Sequence, residues 1–152
     1  MSIAIPPATD KNIRRRAMDL LARREHSRYE LRLKLRKYAD FTAIDAVITV
    51  LEAEQLLSEE RYAEMIVRNY GGRGYGPLFI QQKLLQQQLS TTIITQALQQ
   101  SGYNWYEQAK KQRIKHFRNR QCSDKKIYWK QMRYLQNRGF LPEHINAALV
   151  IS

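Results

Sequence analysis

Three alanines set the frame for this chain. Ala17, Ala63 and Ala109 stand 46 residues apart, each inside a run of helical periodicity. A period of that length marks one supersecondary unit copied along the sequence. In the first copy, Ile13, Ala17, Leu20 and Leu21 form one apolar helical stripe. Ser27-x-x-Glu30 reads as a capping box opening a second helix, with Leu31 and Leu35 inward and Tyr38 near its end. Thr42-x-x-Asp45 reads as the cap of a third, carrying Ile44, Val47, Ile48 and Leu51. The second copy places Tyr62, Ala63, Ile66 and Tyr70 after a Ser58 cap. Ile80, Leu84 and Leu85 follow Pro77, and Ile93, Ile94, Ala97 and Leu98 follow Thr91 or Thr92 up to a stop at Gly102. In the third, Asn104-x-x-Glu107 opens a helix with Tyr106, Ala109, Arg113 and Phe117. Ser123 opens one with Ile127, Tyr128, Met132 and Leu135 ending at Gly139, and Pro142 begins a last with Ile145, Ala148 and Leu149.

No stretch alternates at period two for long enough to make a strand. The expected class is therefore all-α: three tandem three-helix modules stacked into an elongated, curved molecule. The segments expected are an N-terminal arm (1–9) and modules at 10–57, 58–104 and 105–152. A short helix triplet has a meagre core, so neighbouring triplets are expected to stack. The alternative is one compact helical globule whose repetition is accidental.

Four of the six glycines crowd into Asn69–Lys83, at Gly71, Gly72, Gly74 and Gly76, directly before Pro77. Such a run ends one helix near Tyr70 and starts another at Pro77, with Arg73 and Tyr75 on a short exposed loop between them. No strand precedes it and no Gly-Lys-Ser/Thr follows, which excludes a nucleotide-binding loop. Two readings stay open: a plain connector, or a loop whose Arg73 and Tyr75, beside a helix N-terminus, meet an anionic partner.

Charge narrows the partners. The chain carries 26 Lys and Arg against 14 Asp and Glu, a net charge of +12. Residues 105–152 hold 11 of the former and 3 of the latter, a net of +8, against +3 for 1–57 and +1 for 58–104. That much like charge in one module repels itself unless an anionic partner relieves it. Lys110, Lys111, Arg113, Lys115, Arg118, Arg120, Lys125, Lys126, Lys130, Arg133 and Arg138 supply it, interleaved with Tyr106, Phe117, Tyr128, Trp129 and Tyr134. An anionic-partner surface is the reading favoured here over the plainer one, a solvated face over ordinary core aromatics.

Catalysis finds no footing. His26, His116 and His144 are scattered without metal-ligand spacing, so neither a metal nor a cofactor is expected. Glu59 and Glu60 follow the Ser58 cap, where acids complement the helix dipole. The lone Cys122 permits no internal disulfide and suits a reducing compartment. With no apolar run of about 18 residues and no signal-like start, a soluble cytoplasmic protein is expected.

The pattern resembles the RecX family, regulators of the RecA recombinase. Ala17-x-x-Leu20-Leu21 with Arg24-x-His26-Ser27-x-x-Glu30-Leu31-x-x-Lys34-Leu35 is similar to the family's opening signature. Leu57-Ser58-Glu59-Glu60-Arg61-Tyr62-Ala63 and Arg73-Gly74-Tyr75-Gly76-Pro77 resemble its central box and loop, ahead of Ile80-x-x-x-Leu84. Ala109, Phe117, Lys126, Leu135, Arg138-Gly139-Phe140 and Ile145 match more loosely. Gln81 and Gln82 stand where basic residues often follow in the family, and Ser58 where an aspartate is usual. The resemblance implies a non-enzyme that binds the RecA filament on single-stranded DNA. It also implies inhibition of that filament's ATPase, co-protease and strand-exchange activities, restraining recombination and the SOS response. Arg73, Tyr75, Lys110, Lys111, Arg113, Lys115, Arg118, Arg120, Lys125, Lys126 and Arg133 are then the expected partner or DNA contacts, on a monomer with no membrane role. A stand-alone, sequence-nonspecific nucleic-acid-binding protein is the rival, and a small enzyme a more distant one.

Overall fold

The computed structural model describes residues 8–118 and 124–149. Among these, all regular structure is α-helical: α1 (Ala8–Arg23), α2 (Arg28–Leu35), α3 (Phe41–Ala53), α4 (Glu59–Gly72), α5 (Pro77–Gln86), α6 (Thr91–Gln100), α7 (Trp105–Phe117), α8 (Lys125–Asn137) and α9 (Pro142–Leu149).

Local chemistry places most of the starts. The first backbone N–H groups of a helix lack intrahelical acceptors, and a side-chain oxygen just upstream supplies one. Ser27 Oγ accepts from the Glu30 amide at 3.0 Å, and Ser58 Oγ from the Arg61 amide at 3.2 Å. Asn104 Oδ1 accepts from the amides of Tyr106 and Glu107. Gly76 and Pro77 occupy the cap and first positions of α5.

Three starts differ from the sequence reading. Asp40, not Thr42, caps α3: its carboxylate accepts from the Ala43 amide at 2.9 Å, while Asp45 pairs with Arg32 at 3.0 Å. Ser90, rather than either threonine, caps α6 through the Ile93 amide, so Thr91 is already helical. Asp124 caps α8 through the Lys126 amide, and Ser123 lies outside the described residues, as do Arg120 and Cys122. At α2 only half the capping box forms, because the Glu30 carboxylate is held by Arg24 at 2.6 Å instead of reaching back.

Each triplet closes its own core. The first gathers Ile13, Ala17, Leu31, Leu35, Ile44, Ile48 and Leu51, the second Tyr62, Ala63, Val67, Ile80, Leu84 and Ile94, the third Ala109, Leu135, Phe140, Ile145 and Ala148. The three repeat alanines, on α1, α4 and α7, are each 0% exposed. A methyl there lets neighbouring helices approach closely, so the repeat is a packing signal. Substantial helix–helix packing stays within each triplet. The modules follow one another in tandem but meet through loops and polar side chains rather than through apolar helix faces. Trp105 packs against both the second and third cores, and Phe79 of α5 lies against Gly139.

Two positions read as inward lie outside. Leu85 is exposed, and Tyr106 is 46% exposed, its hydroxyl donating to Glu143 and its ring against His144. Two histidines are buried. His26 Nδ1–H donates to the Arg24 carbonyl at 3.0 Å, which leaves Nε2 to accept from the Lys34 ammonium at 3.0 Å. His144 Nδ1 accepts from the Leu141 amide at 3.3 Å, serving as the acceptor at the start of α9. Both therefore sit neutral, and burial lowers the pKa of each.

Candidate functional site

The glycine loop is a joint rather than a free loop. Helix α4 runs on through Gly72, and Gly71, Gly74 and Gly76 are buried. Gly74, at φ +88°, lies so close to the Gln112 side chain on α7 that a Cβ would stand 2.1 Å from it. A Cβ on Gly76 would stand 2.5 Å from the Gly139 carbonyl oxygen, and one on Gly139, at φ +93°, 2.4 Å from Phe79. Two backbones thus touch where side chains would keep them apart.

They also satisfy each other. The amide of Gly76 donates to the Arg138 carbonyl at 2.7 Å, and that of Leu78 to the Gly139 carbonyl at 2.9 Å. The unpaired N–H groups at the start of α5 thereby meet unpaired carbonyls at the end of α8, with opposite helix-dipole ends face to face. The amides of Gly76 and Leu78 are taken, so this helix N-terminus is not open through them to an anionic partner. Arg138 closes the joint. Its Nη2 donates to the Arg73 carbonyl and its Nε to the Gly74 carbonyl, while the guanidinium lies 4.0 Å from the Tyr75 ring centre. Tyr75 is half-buried and stacks on Phe79 at 4.1 Å. Arg73 is exposed, its guanidinium 5.2 Å from the Tyr70 ring and 5.4 Å from that of Tyr75. Sequence alone marks Arg138 as one cation among eleven and Gly139 as a helix stop, not as joint residues. The signal was their kinship to the Arg73-Gly74 pair, a cation followed by a glycine.

The junction of the first and second modules has another chemistry. Ser27 Oγ donates to Gln87 Oε1 at 2.8 Å, and Arg61 Nε to Glu25 Oε1 at 2.9 Å. Burial pushes up the pKa of Glu59, opposed by a hydrogen bond from the Arg28 backbone. A side chain takes part in each of these contacts, unlike the backbone-to-backbone bonds of the joint.

The basic third module is laid out on α7 and α8. Lys110, Lys111 and Lys115 are exposed on α7, Arg113 is half-buried, and the exposed Arg118 ends the helix at φ +51°. Lys125, Lys126 and Arg133 are exposed on α8. Arg120 lies outside the described residues. Among the described residues, the ion pairs run from Arg14 to Arg61, in the first module and its junction. None of them includes Lys110, Lys111, Lys115, Lys125, Lys126 or Arg133. Lys125 and Lys126 occupy the first turn of α8, where the dipole disfavours cations, and Lys126 and Lys130 are an i,i+4 like-charge pair. Beside them, His116, Phe117, Trp129 and Tyr134 line an open groove of about 690 Å³ together with Lys126, Lys130, Arg133 and Asn137. Trp129 is 53% exposed there. The spacing 126, 129, 130, 133 along one helix face already stood in the sequence.

No group of three or more potential metal ligands occurs among the described residues, and no described helix is long and apolar enough to cross a membrane.

Comparison with known proteins matches all three modules. Family models described as the first, second and third three-helix domains of RecX match residues 14–51, 58–98 and 103–149. A protein named regulatory protein RecX from Pseudomonas putida KT2440 is 42% identical over 138 residues, covering 90% of this chain and 88% of its own. One of the same name from Halorhodospira halophila is 37% identical over 142 residues, covering 93% and 88%. Among solved structures, RecX from Lactobacillus salivarius superposes with a TM-score of 0.79 at 21% identity, over 93% of this chain and 94% of that one. Another, described as regulatory protein RecX, gives 0.77 at 23% identity over 91% and 70%.

Proposed function

The chain belongs to the RecX family, and from that premise we propose that it is a negative regulator of homologous recombination and the SOS response. It binds the RecA filament on single-stranded DNA and inhibits the filament's ATPase, co-protease and strand-exchange activities. It acts as a cytoplasmic monomer without catalysis of its own. The observation that carries this reading is the 42% identity to a regulatory protein RecX across 90% of the chain. The placement of the charge supports it. A filament wound on DNA is a long groove with phosphates inside, and the exposed cations of α7 and α8 suit it.

The mechanism is stapling. Tandem modules with separate cores reach adjacent filament subunits, and the backbone joint at Gly76 and Gly139 resists the relative motion that hydrolysis demands of those subunits. Arg73 and Tyr75, at the joint, touch the recombinase. Lys110, Lys111, Arg113, Lys115, Arg118, Arg120, Lys125, Lys126 and Arg133 meet its acids or the DNA phosphates.

The test is ATP hydrolysis by the cognate recombinase on single-stranded DNA with substoichiometric amounts of this protein. Inhibition well below one molecule per recombinase subunit is expected. Its absence, alongside tight binding to bare DNA, favours the second reading, a stand-alone nucleic-acid binder, which the net charge of +8 in residues 105–152 also supports. A protein making 6–10 phosphate contacts loses roughly 10³–10⁵ in DNA affinity between 50 and 200 mM salt. A shaped interface with a protein filament retains more.

A further inference from the structure

The groove on the outer face of α8 combines three features seldom found together on a solvated surface. Its aromatic content is high: Trp129 is 53% exposed, and His116 stacks on Tyr134 at 4.0 Å with an interplanar angle of 10°. Phe117 stands edge-on to the same tyrosine at 5.6 Å. Its charge has one sign, since Lys126, Lys130 and Arg133 line it and no carboxylate does. It is also open, at about 690 Å³ between the end of α7 and one face of α8. A half-exposed indole flanked by like-charged cations is costly as bare surface. Water solvates the ring poorly, and Lys126 and Lys130 repel each other.

We propose that this groove is a stacking site for the bases of a single-stranded nucleic acid, with Trp129 as the platform and Lys126, Lys130 and Arg133 as the phosphate contacts. The chemistry selects the ligand. An acidic protein surface satisfies the cations, but its carboxylates offer the face of the indole no partner. Duplex DNA offers phosphates but keeps its bases stacked inside. A single strand presents both a flat π-face and a phosphate every nucleotide, and every base can stack, so the site is tolerant of sequence. The inference deepens the filament reading and rests on it, because single-stranded DNA is the strand that reading brings within reach.

The experiment uses the full chain, an oligothymidylate and an abasic oligonucleotide of the same length. Binding is followed by tryptophan fluorescence and anisotropy with the unmodified protein, Trp129→Ala and Trp129→Phe. The unmodified protein is expected to bind the oligothymidylate at least about fivefold tighter than the abasic strand, the size of one stacking contact. Trp129→Ala loses that margin while keeping its affinity for the abasic strand, and Trp129→Phe recovers most of it. Equal binding of the two strands by the unmodified protein overturns the proposal and needs no variant to fold. A loss in Trp129→Ala shared by both strands overturns it as well. So does quenching of Trp129 by poly-glutamate but not by either strand. Recombinase ATP hydrolysis is measured in parallel. Filament inhibition without strand discrimination removes the groove and leaves the regulatory reading, whereas discrimination without inhibition does the reverse.

Discussion

The amide of Gly76 donates to the carbonyl of Arg138 at 2.7 Å, tying the start of α5 to the end of α8 across a module boundary. That bond exists because neither Gly76 nor Gly139 carries a Cβ.

The first prediction follows from this closeness. Gly139→Ala places a methyl 2.4 Å from Phe79 at a φ of +93°, combining a steric collision with a left-handed backbone. The expected loss is about 3 kcal/mol. Gly102→Ala is the control, since Gly102 shares a positive φ of +78° but has nothing within 4 Å of a Cβ. It is expected to cost about 1 kcal/mol. Urea unfolding of the two variants separates joint packing from backbone strain, and equal losses would refute the packing account.

Separate cores predict separate responses. Leu135→Ala removes a fully buried side chain from the third core and is expected to cost about 2–5 kcal/mol there. Leu31 and Ile48 belong to the first core. Amide hydrogen exchange around them is expected to stay at the unmodified rate. Exchange rising equally in all three modules would mean that the chain unfolds as one unit.

Acid acts through the buried histidines. Burial lowers His26 and His144 below their ordinary value of 6.5, so the unfolded chain binds protons that the folded one refuses. Their contribution is fully present above pH 6.5 and is lost progressively as the pH falls below that value, levelling off beneath the folded pKa. Protonated His26 would also face the Lys34 ammonium and lose it as a donor. Glu59 works against this trend, because burial raises its carboxyl and favours the folded form on acidification. The thermal unfolding midpoint is expected to fall from pH 7.5 to 5.5. The slope is expected to flatten in a His26→Gln, His144→Asn double variant, and an unchanged slope there would point to other groups.

Stability and binding should part company at Lys126. Lys126→Glu puts an acid in the first turn of α8 and makes an i,i+4 pair with Lys130. A gain of about 0.5–1 kcal/mol is expected. The same change is expected to weaken filament inhibition and DNA binding. Unaltered inhibition at higher stability would show that the first turn of α8 has no part in the interface.

The alternating stripes and the alanine spacing made the helix triplets legible, because burial of one face leaves a periodic trace in the residues that form it. The caps at Ser27, Ser58 and Asn104 were legible for the same local reason. Asp40 was not, since the choice between neighbouring oxygens depends on how the chain arrives from α2. The joint was hidden more deeply. Gly74 and Gly139 each announce a positive φ, but which loop touches which is decided by the stacking of modules, and neither sequence neighbourhood carries that. Tyr106 read as core by its period, yet α9 leaves it at the rim beside His144 and Glu143. On α8 the cations are legible as charge, but whether the indole standing among them is exposed depends on which face of the helix packs inward.

A joint fashioned from backbone atoms fixes a length. The second and third modules present their outer faces at one separation, whichever side chains those faces bear. A partner that repeats at a matching pitch is gripped at two points, the second at high effective concentration, whereas one of another pitch is held at a single point and soon released. For the filament binding proposed above, the glycines at 76 and 139 would make the molecule a gauge, answering to the spacing of its partner as well as to its charge.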